Sequence, residues 1–531
     1  MVASAQAECG WKEWARRGAL GRSLGAQVVL FLVAAALTGC AVGPDYVPEP
    51  APVPPTFKEL KGWKVATPLD NLDRGEWWGV YHDPRLSTLI KQVEISNQNV
   101  AAAAAAYEQA RAIIREAQSS LFPTLSASYN ATRSYSGPKS GGAGAIASTG
   151  AVGTYTTVFN PALTTSWDLD VWGKVRRQIE SNVAAAQVTA ADLDNAKLAA
   201  QAALATAYFN LLAADSLHDL LVRYTEEYKK TLKIVRDQFV AGFSVTEGDV
   251  ATAEAQVFQT QAQALNALLQ RQQFEHAIAV LIGRPPAELS IATHLLGGNI
   301  PSIPVTVPSA LLERRPDVAA AERTMQEQNA LIGVAVAGYF PDISLSAVLQ
   351  WTGSQPLPFN VANVVWSLGA AGTQVLFDGG LRGAQVDSAR AVYWQSVANY
   401  RQTVLTAFQQ VEDNLVAVRL LKQQLVLQRK AVQDQRRAVD VFINQFRAGT
   451  VAYTTVVQGE IILLTDEENL LTTRQDLFLA SVALIQALGG GWDANLIPTR
   501  REMEKDISLF PQLPSNGSGL RLDPSVFLPT R

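Results

Sequence analysis

Four segments of the chain alternate between apolar and small polar residues. In the first two, 124–132 and 162–171, the apolar positions are Leu125, Ala127, Tyr129, Ala131, Leu163, Trp167, Leu169 and Val171. In the other two they are Ile343, Leu345, Ala347, Leu349 and Trp351, followed by Trp366, Leu368 and Ala370 within 364–375. Strands of about ten residues with one apolar face are typical of transmembrane β-barrels, although a soluble four-stranded sheet has the same alternation.

Aromatic residues lie near the ends of these predicted strands. They are Tyr135, Tyr155, Trp167, Trp351 and Trp366. Tyr and Trp concentrate where a membrane barrel meets the lipid headgroups, so we expect them to form an aromatic girdle.

Two much longer segments have the composition of helical rods. Lys174 to Val240 contains 67 residues without Pro or Gly, which is about 100 Å of helix at 1.5 Å per residue. Residues 381–447 also lack Pro and contain only Gly383. Leu and Val recur at three- and four-residue spacing among many Ala residues, and this pattern favours coiled-coil packing.

The chain contains one unit twice. Asn99 and Asp317 begin matching runs, as do Leu121 and Tyr339, and both pairs are separated by 218 positions. Later matches, such as Gly242 with Gly449, are separated by 207 positions. The first half therefore contains about 11 extra residues, which we place in the Gly- and Ser-rich loop at 136–153.

Each half has the same predicted order of a helix, two strands and a long helical hairpin. The predicted boundaries are 86–121 and 316–339 for the helices, 122–171 and 340–377 for the β-hairpins, and 172–284 and 378–488 for the helical hairpins. A linker or equatorial region is predicted at 285–315 and a C-terminal tail at 489–531. The hairpin tips fall near 242 and 449, where Gly tolerates a positive φ.

The N-terminus has the features of a bacterial lipoprotein leader. Basic residues precede an apolar run at 28–37, which is too short to span a bilayer. The run ends in Leu37-Thr38-Gly39-Cys40, which resembles a lipobox. We predict a signal peptide at 1–39, acylation of Cys40 and a lipidated extended segment at 40–85; a secretory signal with a chance cysteine is the alternative. Ala41 after the cysteine favours export to the outer membrane.

The predicted strands require partners if they cross a membrane. Beyond the leader there is no apolar run of helix-spanning length, so strands would have to make any crossing. Four strands cannot close a barrel, and open edges in lipid are costly. Two copies would supply eight strands and three would supply twelve, and these physical arguments do not choose between them.

Composition and charge argue against several functional classes. A formal net charge of −4 does not provide the basic footprint that nucleic acid requires. The only cysteines are Cys9 and Cys40, and the four histidines are scattered, so no metal site is predicted. We found no nucleotide-binding or catalytic motif, and Asp168 and Asp170 fit the polar face of a strand lining a lumen. The chain is therefore predicted not to be an enzyme and to carry no cofactor besides the lipid on Cys40.

Several motifs resemble the outer-membrane factor family, in its TolC/OprM-like, NodT-type lipoprotein branch. In chain order they are Cys40-Ala41-Val42-Gly43-Pro44-Asp45-Tyr46, Trp77-Trp78, Asp83-Pro84, Leu86, Leu312, Arg314-Arg315-Pro316-Asp317, Ala337-Gly338-Tyr339-Phe340-Pro341 and Leu376-Phe377-Asp378-Gly379-Gly380. The resemblance implies a mainly α-helical fold with a transmembrane β-barrel: a homotrimer whose twelve-stranded barrel continues into a long helical tunnel in the periplasm. It also implies two protein partners, a periplasmic adaptor and an inner-membrane RND-type pump.

The resemblance also assigns roles to the hairpin tips. Residues expected to contact the adaptor are Gly242, Ser244, Gly449 and Thr450. Relatives commonly carry a narrowing ring of aspartates after the second tip, but this chain has Thr455 and Gln458 there, with Tyr453 nearby. Glu247 and Asp249 at the first tip are the acidic gate candidates, although helix-start acids favoured by the helix dipole are an equal alternative.

The predicted function is a passive exit duct in the outer membrane for small molecules, including antibiotics, driven by the pump of a tripartite efflux system. Two alternatives remain open on the sequence alone. One is the outer-membrane duct of a type I polypeptide secretion system. The other is an envelope tether without a pore.

Overall fold

The computed structural model describes residues 41–50, 53–59, 76–137, 153–242, 245–298, 314–492 and 494–504. The predicted signal peptide, Cys40 and Ser244 lie outside these ranges. So do residues 138–152 of the predicted insertion loop, residues 299–313 of the predicted linker, and the part of the tail after residue 504.

The four alternating segments form one antiparallel sheet. Its strands are β1 (Thr124–Ser136), β2 (Thr154–Leu169), β3 (Asp342–Trp351) and β4 (Val364–Thr373), in the order β1-β2-β3-β4. The two repeats meet between β2 and β3, where Leu163 pairs with Leu349. Both strands of the first repeat extend further towards the hairpin loop than the alternation indicated, because Thr132 to Ser136 continue to pair with residues 154–158.

One face of the sheet presents large apolar side chains that the chain itself leaves uncovered. Leu125 is 72% exposed, Trp366 is 69% exposed and Leu368 is 76% exposed. A water-soluble sheet normally packs such a face against a core, so this surface is suited to lipid.

The helices account for most of the remaining described chain. They are α1 (Pro84–Ser96), α2 (Gln98–Ser119), α3 (Lys174–Val240), α4 (Glu247–Leu281), α5 (Pro316–Ala337), α6 (Leu381–Arg447), α7 (Tyr453–Ala487) and α8 (Arg500–Glu504). Short 3-10 turns occur at Trp77–Tyr81, Pro286–Glu288, Val361–Asn363 and Ala494–Leu496. The rods α3 and α6 contain 67 residues each, as their sequences predict. Within the described ranges, no helix is both long and apolar enough to cross a membrane.

The helix predicted at 86–121 is interrupted at Asn97, so that prediction was wrong in one respect. Asn97 has an extended backbone, with φ −68° and ψ 123°, and ends α1 while it caps α2. Its side-chain oxygen accepts hydrogen bonds from the backbone N–H groups of Asn99 and Val100. Asn favours such a capping position over a helix interior, which explains the break.

The helices pack in two rows that share α3 and α6. Next to the sheet the neighbours run in the order α2-α3-α5-α6. Away from the sheet the order is α4-α3-α7-α6. The largest apolar cluster lies where the rows meet and includes Trp78, Leu86, Tyr208, Leu211 and Leu477. Each row is an open series, with α6 at one end and α2 or α4 at the other.

Within the predicted tail, the segment as far as Glu504 packs against the first repeat. Trp492 donates from Nε1 to Asp194 at 2.8 Å, and Gln187 donates to the carbonyl of Pro498 at 3.0 Å. Met503 is buried against Ile114 and Ile179. The sequence gives no periodic signal here, because single side chains attach the segment to α2 and α3.

Candidate functional site

The residues that follow Cys40 are held where the sheet meets the helices. The backbone N–H of Val42 donates to the carbonyl of Trp172 at 3.0 Å. A Cβ built on Gly173 would lie 2.6 Å from the Cα of Ala41, so only glycine permits this approach. Ala41, the immediate neighbour of Cys40, therefore lies at the base of the sheet.

Arg177 fixes this N-terminal segment by hydrogen bonds and ion pairs. Its guanidinium donates to the carbonyls of Val42 and Gly43 and to the carboxylates of Asp45, at 2.7 Å, and Glu180, at 2.8 Å. The Arg177 side chain is only 5% exposed. Because an unpaired charge in such a place is costly, the segment is part of the folded structure of the junction.

The segment then follows α6 away from the sheet. Glu49 accepts from Tyr393 at 3.2 Å and pairs with Arg401 at 3.4 Å. Further along, Phe57 lies edge-on to Phe408, with ring centroids 6.2 Å apart, and Glu59 pairs with Arg419. This N-terminal strap, residues 41–50 and 53–59, therefore connects the base of the sheet to the middle of α6.

Asp170 differs from its predicted role as a residue lining a lumen. It lies just after β2, and its carboxylate accepts hydrogen bonds from the backbone N–H groups of Val175, at 2.9 Å, and Arg176, at 3.0 Å. The side chain is 8% exposed, so it stabilises the start of α3 rather than facing a channel. Asp378 bonds to Gly380 and Arg382 in the same way before α6. Asp168 stays within β2 and is exposed.

The aromatic residues predicted to form a girdle divide between the two ends of the sheet. Tyr135 and Tyr155 pair directly at the end distant from the helices, with ring centroids 4.8 Å apart. Trp351 ends β3 on the same side. Trp167 lies at the helix-proximal end, where its Nε1 donates to the carbonyl of Leu121. Two aromatic levels on one sheet fit the two interfaces of a bilayer.

The hairpin tips have the backbone conformation that their glycines predict. Gly242 has φ +76° and Gly449 has φ +72°, and no atom lies within 4 Å of a Cβ built on either. Thr450 is exposed beside the second glycine, and its backbone N–H donates to the carbonyl of Gln445. These are helix-ending turns that leave an open surface at the tips.

The acidic gate candidates of the first tip differ in their contacts. Asp249 forms a capping box: its carboxylate accepts from the backbone N–H of Thr246 at 2.8 Å, while Thr246 caps its N–H in return. This contact accounts for Asp249 as a helix-start residue. Glu247 is exposed in the first turn of α4.

At the second tip, Tyr453 is not placed as the gate prediction requires. It is 5% exposed and packs against Phe446, with ring centroids 5.6 Å apart. Its ring therefore lies in a buried cluster that also includes Val235 of α3 and Ala253 of α4, rather than on an exposed surface. Thr455 is half-buried and Gln458 is exposed, so these two remain the gate candidates on α7.

Glu460 was missed from the sequence. It is 7% exposed on α7, and the Thr231 hydroxyl on α3 donates to its Oε1 at 3.3 Å. Burial raises the pKa of the Glu460 carboxyl to about 7. The only signal in the sequence is a Glu next to Gly459 in an otherwise apolar stretch, and this does not reveal which helix it faces.

The described residues contain no cluster of three or more His, Cys, Asp or Glu side chains suited to a metal ion. The described residues form a sheet with an uncovered apolar face, an N-terminal strap packed along α6, and rods that end in open tips. Such a sheet is suited to a lipid environment.

Comparison with known proteins agrees with this geometry. The family model described as outer membrane efflux protein matches residues 89–284 and 307–490, which is more than half of the chain. The pyoverdine export outer membrane protein OpmQ of Pseudomonas aeruginosa is 29% identical over 453 residues, covering 84% of this chain and 94% of its own. Nodulation protein T of Rhizobium leguminosarum bv. trifolii is 29% identical over 447 residues, covering 83% and 91%.

A solved structure shares the fold. The outer-membrane channel OprN superposes with a TM-score of 0.76 at 27% identity, covering 85% of this chain and 100% of its own. The matched family regions cover both repeats, including both long helical hairpins. The chain therefore belongs to the outer membrane efflux protein family.

Proposed function

We propose that the chain is one protomer of a homotrimeric outer-membrane channel, in which three copies complete a twelve-stranded barrel above a helical tunnel. The observation that carries this proposal is the pair of open edges of the described sheet, β1 and β4. Unpaired edge groups cost several kcal/mol each in lipid. Pairing β1 of one copy with β4 of the next removes every edge when the ring closes.

The helical rows have open ends that correspond to the sheet edges. α2 and α4 lie on the β1 side of the chain, and α6 lies on the β4 side. Phe258 and Leu265 on α4 are exposed seven positions apart, and so are Leu420 and Leu427 on α6. Seven-residue spacing of large apolar side chains is typical of a coiled-coil seam. We therefore infer that α4 of one copy packs against α6 of the next.

Three copies fit this arrangement better than two. An eight-stranded barrel is just wide enough for its own side chains to fill, whereas twelve strands leave room for water. The face opposite the apolar one carries small polar residues such as Ser126, Ser128 and Asn130, which suit the wall of an aqueous lumen.

The duct would release small molecules passively, with an inner-membrane RND-type pump supplying the energy through a periplasmic adaptor. OpmQ, which this chain matches over 94% of its length, is an export protein for pyoverdine, and this likeness supports a small-molecule cargo. We assign adaptor contact to the tips, at Gly242, Ser244, Gly449 and Thr450. We assign the narrowing of the pore to Glu247, Thr455 and Gln458, with Asp249 shaping the first tip.

The N-terminal strap supports a lipid anchor at Cys40. Ala41 lies at the helix-proximal end of the sheet, where Trp167 marks one of the two aromatic levels. Acyl chains on the preceding residue would enter the periplasmic leaflet beside the barrel. Each buried methylene contributes about 0.8 kcal/mol, so several chains hold the N-terminus firmly.

Two measurements test the proposed function. In planar bilayers the purified protein should give discrete conductance steps, whereas an envelope tether would give none. Cells lacking the protein and its homologues should accumulate small-molecule pump substrates while secreting polypeptides normally. Unchanged accumulation with a block in polypeptide secretion would instead identify a duct for secreted proteins.

A further inference from the structure

Glu460 occupies an unusual place for a carboxyl group. It lies on the face of α7 that packs against α3, between the second tip and the middle of the rods. On the tip side of it, Val456 and Val457 pack against Val235 of α3. On the other side, Leu464 packs against Leu221 of α3. The carboxyl therefore interrupts an otherwise apolar seam.

The packing around Glu460 leaves α7 little freedom. A Cβ built on the neighbouring Gly459 would lie 2.9 Å from Cδ2 of Phe442 on α6. The Gln435 side chain of α6 donates to the carbonyl of Gly459 at 3.0 Å. At this level α7 is thus pressed against α6 on one side and presents Glu460 to α3 on the other.

The first repeat provides a natural comparison. Glu254 is the eighth residue of α4, as Glu460 is the eighth residue of α7, and both helices contain 35 residues. The Glu254 side chain is 37% exposed and forms an ion pair with Arg236 of α3. Ile443 replaces that arginine at the equivalent place on α6. The described residues include no ion pair to Glu460.

The titratable groups near Glu460 do not neutralise its charge. Those whose interaction with it is resolved are Glu227 and Tyr228 on α3 and Tyr453 on α7. Residues that α4 and α6 bring near this level include Ala253, Gln256, Gln435, Val439 and Phe442, and these do not titrate. An ionised Glu460 in the packed seam would thus have a hydroxyl donor and an acidic neighbour, with no cation among these groups.

Building on the proposed channel function, we propose that Glu460 is a proton-operated latch on the seam between α3 and α7. With its proton in place, the carboxyl remains buried and the tip half of α7 stays packed on α3. When the proton leaves, the carboxylate is stable only in contact with water, and the seam loosens around it. Loosening frees the tip that carries Thr455 and Gln458, so the latch would regulate the aperture.

The direction of the pH effect follows from burial. Desolvation raises the pKa of the Glu460 carboxyl to about 7, from its ordinary value of 4.5. The packed seam therefore binds the proton more tightly than a seam open to water. Acidification through this range strengthens the packing, and a rise in pH weakens it, with the full loss reached above the pKa of the packed state.

Amide hydrogen exchange on the purified full-length mature protein tests the latch without requiring conductance. After correction for the intrinsic pH dependence of exchange, protection of residues 453–464 should fall about tenfold between pH 6 and pH 8, as proton linkage to this carboxyl predicts. Residues 247–258, the same stretch of the first repeat, should keep their protection.

Three variants make the test specific. Glu460→Gln keeps the size of the side chain but cannot ionise, so protection of 453–464 should become independent of pH; Glu460→Leu should behave alike if the glutamine variant folds poorly. Glu254→Gln is the matched control and should retain the wild-type fall. An unchanged protection in the wild type, or the same fall in Glu460→Gln, would overturn the latch.

Conductance separates the latch from the proposed function. If the channel opens more often at pH 8 than at pH 6, and Glu460→Gln abolishes the difference, both are supported. If conductance steps occur with the same frequency at both values, the latch is wrong and the channel stands. If exchange depends on pH as expected but no conductance occurs at any pH, the proposed channel function is wrong. The pH-dependent packing of α7 on α3 is then retained.

Discussion

The side chain of Asn97 joins two helices end to end, because its Nδ2 donates a 2.7 Å hydrogen bond to the carbonyl oxygen of Leu281. Its Oδ1 caps the start of α2 while its Nδ2 satisfies the end of α4. At the equivalent place in the second repeat, Arg315 donates to the carbonyl of Ala487 at 3.1 Å. In both repeats a side chain therefore satisfies a carbonyl at the end of the neighbouring helix. The donor is an asparagine amide in the first repeat and an arginine guanidinium in the second.

Replacing Asn97 should therefore weaken both helix ends at once. Asn97→Ala removes a buried cap and leaves the Leu281 carbonyl without this donor, which together should lower the free energy of unfolding by about 2 kcal/mol. A denaturant titration in detergent measures the change. Asn99→Ala, an exposed position in the first turn of the same helix, should change it by less than about 0.5 kcal/mol. Equal losses in the two variants would contradict the bridging role.

The contact of Arg315 with the end of α7 depends on an ion pair between Arg315 and Asp317. Arg315 donates to both carboxylate oxygens of Asp317, at 2.9 and 2.6 Å, and these residues also line a cavity of about 400 Å³. Arg315→Ala should cost about 2 kcal/mol, because the partly exposed Asp317 carboxylate and the Ala487 carbonyl both lose this donor. The double variant with Asp317→Ala should lose less than the sum of the single losses in a double-mutant cycle. Strict additivity would show that the two residues act independently.

Glycine is required at position 283, where the end of α4 meets Ser96, for two separate reasons. Gly283 has φ +68°, and a Cβ on it would lie 2.1 Å from the carbonyl oxygen of Ser96. Gly242 has a similar φ but open space around it. Gly242→Ala should therefore lower the free energy of unfolding by about 1 kcal/mol, the cost of a positive φ in a residue with a Cβ. Gly283→Ala should lower it by about 1–3 kcal/mol more, because its Cβ also clashes with Ser96. Similar stabilities of the two variants would argue against the close approach of α4 to Ser96.

The lipid anchor at Cys40 makes a separate prediction. Cys40→Ala should remove the acyl mass from the mature protein, as intact-mass spectrometry would measure. The contacts of Arg177 with the strap involve residues after the cysteine, so the variant chain should still form the junction. Recovery of normally acylated protein from this variant would refute the assignment.

Regular repetition made most of the fold predictable. The bounds of α3 and α6 follow from the absence of Pro and the positions of Gly173, Gly380 and the tip glycines. The positions of the four strands could be predicted from the alternation of apolar and polar residues, because successive side chains of a strand point to opposite faces of the sheet. The family resemblance then supplied the likeness to efflux channels that the comparisons show.

The contacts that single side chains make between distant elements could not be predicted. Asn97 interrupts a segment whose periodicity is otherwise that of one helix, and Asp170 looks like the next polar position of a strand. Tyr453 lies beside the gate candidates in sequence, yet its ring lies in a buried cluster. Glu460 stands in a mainly apolar stretch of α7, but the sequence does not show that it faces Thr231 of α3. In each case the role depends on which neighbour the side chain meets in space.

Native mass spectrometry of the purified mature protein, released from detergent, determines whether three chains close the barrel wall. If the β1 and β4 edges of neighbouring chains pair with one another, the spectrum should show a complex of three chains after the detergent has been removed. That complex should dissociate into single chains only at higher collision energy. A single chain, or a stable pair, would contradict a closed twelve-stranded wall.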